Sequence, residues 1–99
     1  MNIVEEKNGE ALKITFIGKI DKITSMQVQN SILQGVQKTQ YLILDFGQVE
    51  YISSAGLRAL LLGQKSAAAK GGRMELINVG NEVLAVLKLS GFDKILTIS

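Results

Sequence analysis

Residues 51–61 read YISSAGLRALL, two adjacent hydroxyls between a strand-like apolar stretch and a leucine-rich segment with helical spacing. One serine suffices to cap such a helix: its oxygen accepts from a free N–H two or three residues on, worth about 1 kcal/mol. That chemistry accounts for Ser53 or Ser54 but not for both. It also leaves Gly56 without a purpose, since glycine inside a first turn weakens a helix. A second use follows from the same geometry. A helix N-terminus carries free N–H groups and about half a positive charge, so a serine there can bear an anion. Phosphorylation would add about −1.5 to −2 charge at an exposed rim without unfolding the domain. Small Ala55 and Gly56 are then expected to let a partner's backbone approach the unmodified surface. Local sequence leaves both readings open.

A third chemistry is Ser54 as the nucleophile of a hydrolase. It needs a base, and the 99 residues contain no histidine. That absence removes Ser–His catalysis, His-ligated metal sites and the usual general base near neutral pH. A serine–lysine pair with Lys19, Lys22 or Lys65 remains formally open, but nothing in the pattern places one of them. No G-x-S-x-G motif accompanies the serines. The expectation is a protein that is not an enzyme.

Composition narrows the field further. The chain is long enough for one core, hence a single domain over residues 1–99. With 46% apolar and 20% charged residues it reads as an ordered globular protein. Lys and Arg number 11 against 9 Asp and Glu, a net charge of +2, and the basic residues are scattered, so no direct nucleic-acid partner is expected. No apolar run approaches the ~18 residues of a membrane span, and the acidic N-terminus is unlike a signal peptide. Cysteine is absent, which excludes disulfides and thiolate metal sites. A cytoplasmic protein with no metal and no cofactor is the simplest expectation.

The elements that must position the serines follow from periodicity. Asn2 to Glu6 reads as an edge strand with a turn at Lys7-Asn8-Gly9, and Leu12, Ile14 and Phe16 alternate as a second strand. Gly18-Lys19-Ile20-Asp21 is expected to leave that strand. Thr24 or Ser25 then caps a helix bearing Val28, Ile32 and Val36. YLILDF at 41–46 suits a central strand covered on both faces. The helix after the serines places Leu57, Leu60, Leu61 and Gln64 on one side and ends at Lys70-Gly71-Gly72. Met74 to Val79 is a strand, Asn81 caps a short helix with Val83, Leu84 and Leu87, and Lys94 to Ile98 is a last strand. The order β-β-α-β-α-β-α-β implies an α/β fold with a mixed, mainly parallel sheet of four to five strands and helices packed on it. No G-x-G-x-x-G or P-loop is present. In such sheets the functional crevice lies beyond the carboxyl ends of the strands, where GQVEYISSAG falls.

The segment DFGQVEYISSAGLR, Asp45 to Arg58, resembles the signature of STAS domains, and specifically of stand-alone bacterial anti-sigma factor antagonists. Gly18-Lys19-Ile20-Asp21 resembles the family's G-x-[ILV]-D turn, and NVGNEVLAVLKLSG, Asn78 to Gly91, resembles its late helix. The likeness runs in order over nearly the whole chain. It implies partner switching: the unphosphorylated protein binds an anti-sigma factor that is also a serine kinase and so frees the sigma factor for transcription. The kinase inactivates the antagonist by phosphorylating one serine, and a phosphoserine phosphatase restores it. Carried onto this chain, the acceptor is Ser54. Ser53 stands where many members have Asp and becomes the expected cap; Ala55 stands in place of a second Ser or Thr.

Asp21 matches an acidic residue that helps engage the kinase, although a plain turn or capping role suits it equally. Together with Ser53, Ser54, Ala55, Gly56, Leu57 and Arg58 it makes up the expected partner-binding surface. Arg58 is solvated by default, or pairs with Glu50, or meets phosphate or kinase. Lys19 and Lys22 are expected to be solvated beside Asp21. Two alternatives remain: an unphosphorylated STAS adaptor in another signalling circuit, and nucleotide binding in the loop crevice. The chain stops at Ser99 where many relatives continue into a further helix, and a more exposed sheet edge is expected as a result.

Overall fold

The computed structural model describes all residues, 1–99. Its elements are β1 (Asn2–Asn8), β2 (Ala11–Ile20), α1 (Ser25–Lys38), β3 (Tyr41–Ile52), α2 (Ser54–Ala69), β4 (Arg73–Ile77), α3 (Asn81–Leu89), a 3-10 turn at Phe92–Lys94 and β5 (Thr97–Ile98). The expected element order is therefore observed. One five-stranded sheet runs β1-β2-β3-β4-β5. β1 and β2 are antiparallel across the Gly9-Glu10 turn, and every later pairing is parallel.

A single core accounts for the layers. Leu12, Ile14 and Phe16 of β2, Leu42, Leu44 and Phe46 of β3, and Met74 and Leu76 of β4 point to one face. There they meet Val28, Ile32 and Val36 of α1, Ala59, Leu60 and Ala67 of α2, and Val83 and Leu87 of α3. Phe16 and Phe46 pack edge to face with centroids 5.8 Å apart. The expectation that YLILDF is covered on both faces is corrected. Its burial alternates, because all the core partners lie on one side and Tyr41, Ile43 and Asp45 stay half-buried on the other. No helix is long and apolar enough to cross a membrane.

Several boundaries also move. β1 continues to Asn8 and the turn begins at Gly9, which takes a positive φ. β2 does not end before Gly18: the strand runs on to Ile20, with Gly18 at φ 125° absorbing an irregularity that other residues avoid. β4 stops at Ile77 because Asn78 turns to φ 59°. Asn81 is the first helical residue rather than the cap, and Gly80 holds the cap position. The last strand shrinks to Thr97–Ile98, its expected start taken up by the 3-10 turn.

The buried face of α2 differs from expectation most. Gly56, Ala59, Leu60, Gly63 and Ala67 are buried, whereas Leu57, Leu61 and Gln64 are only half-buried. A Cβ on Gly63 would fall inside contact distance of Ile32 Cγ2 on α1 and Met74 Sδ on β4. Small residues thus bring α2 down onto α1 and the sheet, and close approach outweighs leucine content. Its C-terminus is a Schellman turn as expected. Gly72 N–H donates to Ala67 O, Gly71 N–H to Ala68 O, and Gly71 adopts φ 74°.

Candidate functional site: the helix start beyond β3

Two irregularities in β3 aim its carboxyl end. Thr15 and Ile17 of β2 pair with Asp45 and Gln48, and Gly18 and Lys19 pair with Val49 and Tyr51. Each interval gives β3 one extra residue, which shifts the inward phase from Phe46 to Val49 and then to Ile52. Beside the first bulge, Asp45 Oδ1 accepts from Gly47 N–H at 2.9 Å and from Asn78 Nδ2 at 3.2 Å. After the second, Glu50 and Tyr51 face outward while Ile52 is buried against the core.

Ser53 sits between strand and helix. Its N–H donates to Ile20 O at 2.8 Å, tying the end of β3 to the end of β2. It has extended backbone angles, and its Oγ accepts from Gly56 N–H at 3.2 Å. Ser53 is thus the N-cap, as expected. Ser54 is the first residue of α2, exposed, with no hydrogen bond from its hydroxyl to the rest of the chain. The two hydroxyls therefore have different physical situations.

Gly56 corrects an expectation. A Cβ there would lie 2.6 Å from Ile20 Cγ2 and 2.7 Å from Ile52 Cγ1, so its bare side faces the core and not a docking surface. Gly56 lets the first turn of α2 settle onto the ends of β2 and β3. Leu57 is likewise half-buried and packed against the core. Ala55 and Arg58 do line a surface depression, with Ser53, Ser54, Tyr51 and Lys22 completing it.

Asp21 forms the neighbouring loop. Its Oδ1 accepts from Ile23 N–H and Thr24 N–H, both at 2.9 Å, which closes the turn that launches α1. Thr24 Oγ1 donates to Lys19 O and accepts from Asp21 N–H. Thr24 holds the cap position of α1 without capping by its side chain, and Ser25 is already helical, so the expected cap of α1 is supplied by Asp21 instead. The Thr24 N–H, ahead of the other donors, holds the Asp21 carboxyl below its ordinary 3.8. Asp21 does not line the depression; Lys22, next in the chain, does.

Sequence reading missed the apolar part of this surface. Tyr51, which lines the depression, is 50% exposed, and Ile23 in the turn before α1 and Met26 in its first turn are 87% and 60% exposed. A signal was available, since Ile23 and Met26 lie off the Val28-Ile32-Val36 stripe that the helix buries. Two cations, Lys22 and Arg58, and an aromatic ring thus surround an accessible serine at a helix start.

A mainly parallel α/β sheet with helices on one face and a serine-bearing helix at its carboxyl edge defines a STAS-type module. The chain belongs to the STAS domain family, whose model matches residues 2–99. It is 29% identical over 100 residues to BtrV of Bordetella bronchiseptica, named as a candidate anti-sigma factor antagonist, covering 100% of this chain and 86% of that protein. It is 28% identical to the anti-sigma F factor antagonist of Paenibacillus polymyxa, covering 99% and 86%. Among solved structures, an anti-sigma factor antagonist from Mycobacterium paratuberculosis superposes with a TM-score of 0.87 at 21% identity, over 98% of this chain and 83% of that one. The Bacillus cell fate determinant SpoIIAA in its phosphorylated form superposes with a TM-score of 0.75 at 20% identity, over 99% and 91%. These likenesses at low identity establish the fold.

Proposed function

We propose that this chain is an anti-sigma factor antagonist controlled by phosphorylation of Ser54. The observation that carries the reading is the division between the two serines: Ser53 is committed to the cap, and Ser54 is exposed at the helix start with its hydroxyl free. Unmodified, the depression around Ser54 and the exposed Ile23, Met26 and Tyr51 form a mixed apolar and basic surface that an anti-sigma factor with serine kinase activity covers. The antagonist thereby releases the sigma factor. A phosphate on Ser54 places bulk and about two negative charges at the centre of that surface. The N-terminus of α2, Lys22 and Arg58 tolerate the charge, so the fold survives while docking fails. A phosphoserine phosphatase resets the protein. The role requires no catalysis by the chain itself. The names of the relatives and the phosphorylated form of a structural neighbour support the reading.

The test uses the serine-kinase anti-sigma factor encoded in the same genome, with ATP and phosphopeptide mass spectrometry. Wild type is expected to acquire phosphate at Ser54 alone, and Ser54→Ala none. In calorimetry Ser54→Ala binds as wild type does and Ser54→Asp binds about tenfold or more weakly. Equal binding by the two variants, with no phosphate on wild type, would leave an unmodified STAS adaptor in its place.

A further inference from the structure

Between the end of β3 and α3 lies a cavity of about 150 Å³. Ile52 and Val83 form its buried floor, Tyr51 and Val86 its walls, and Glu50 and Glu82 its rim. It sits beside the second bulge of β3, which turns Glu50 outward. A space of this size matches one benzene-sized group and falls below the ~300 Å³ at which small-molecule pockets begin. A single apolar side chain fits it.

The rim decides which residues flank that side chain. Neither Glu50 nor Glu82 takes part in the molecule's ion pair, which joins Lys38 and Glu5, and neither accepts a side-chain hydrogen bond. No cation lines the cavity. Glu82 also answers the positive end of α3, but Glu50 lies on a strand and has no such role. Two unpaired carboxylates around an apolar hole repel an acidic segment and favour a basic one. We propose that this groove receives an aliphatic side chain flanked by lysine or arginine on the protein that docks at Ser54.

The proposal rests on the reading of the Ser54 face as a protein-docking surface, with which the groove is continuous through Tyr51. Tyr51 walls both the groove and the Ser54 depression. The depression carries Lys22 and Arg58; the groove carries Glu50 and Glu82. The combined surface is therefore basic at one end and acidic at the other, and this polarity orients the partner as well as attracting it.

The test is an amide NMR titration of the intact chain with two peptides, acetyl-Ala-Arg-Leu-Arg-Ala-amide and acetyl-Ala-Glu-Leu-Glu-Ala-amide. The basic peptide is expected to shift Tyr51, Val83 and Val86 saturably in the millimolar range, and the acidic one to bind about tenfold more weakly or not at all. The double variant Glu50→Lys, Glu82→Lys is expected to invert that order, and Val86→Trp, which fills the hole, to abolish both responses. Equal affinity for the two peptides, or no shifts at the groove, overturns the proposal. Repeating the titration on Ser54→Ala separates the two readings. A failed switch leaves the groove responses intact, whereas a failed groove leaves kinase binding by the Glu50→Lys, Glu82→Lys chain unchanged.

Discussion

Two neighbouring serines of the same chemistry behave differently because the chain turns between them. Ser53 is still extended, so its Oγ reaches back to Gly56 N–H, whereas Ser54 is helical and its hydroxyl points to solvent. Ser53→Ala is expected to cost about 1 kcal/mol of stability through loss of the cap. In calorimetry that lowers Tm by about 4–8 °C for a domain of this size. Ser54→Ala stays within about 0.5 kcal/mol of wild type, since it removes no internal contact. Gly56→Ala belongs to the same scale. Its Cβ would press on Ile20 and Ile52, both buried under the first turn, and overpacking of this kind costs about 1–3 kcal/mol. A variant as stable as wild type would show that the first turn of α2 is free to lift from the sheet.

At the scale of elements, the Asp21 turn sets where α1 begins and carries a pH dependence. The carboxyl is held below its ordinary 3.8 chiefly by the Thr24 N–H, so the turn's contribution is fully present above that ordinary value. It is lost as pH falls through the depressed folded-state value. Protection of the Ile23 and Thr24 amides, taken relative to the intrinsic exchange rate at each pH, is therefore expected to fall on acidification below the ordinary 3.8, and to be already lost in Asp21→Ala at neutral pH. The packing of α2 on α1 is the other element-scale device. Gly63→Leu drives a side chain into Ile32 and Met74, and loss of cooperative thermal unfolding is the expected result.

For the whole molecule, the open face of the sheet is tied by one polar cluster. Glu75 is 9% exposed and accepts from the hydroxyls of Tyr41 and Ser99, joining β3, β4 and the segment after β5. Arg73 lies over the Tyr41 ring, 5.1 Å from its centroid. The Ser99 hydroxyl, followed by that of Tyr41, holds the Glu75 carboxyl below its ordinary 4.5. The cluster's contribution is thus present above that value and is lost as pH falls through the lowered one. Tyr41→Phe removes one donor, and carbon NMR of the Glu75 carboxyl is expected to titrate closer to 4.5 than in wild type. An unchanged titration would show that Tyr41 does not support the charge. Such a cluster also blunts an uncovered face that would otherwise favour sheet-to-sheet association.

Periodicity alone determined the order of strands and helices, because alternation at Leu12-Ile14-Phe16 and four-residue spacing at Val28-Ile32-Val36 are local properties of the chain. The serines at a helix start and the glycine close of α2 were legible for the same reason. Three features belonged to tertiary structure. The covered face of β3 depended on all three helices choosing one side of the sheet. The role of Gly56 and Gly63 depended on how closely α2 approaches Ile20, Ile52 and Ile32, a distance no local pattern contains. The Ser54 surface and its acidic neighbour depended on two bulges that shift β3 by a residue each, bringing Lys22, Tyr51 and Arg58 to one depression and Glu50 and Glu82 to the next. Helical and strand periods are set by bonds between near neighbours, whereas side chains distant in sequence meet only when register and packing distance are settled by the whole core.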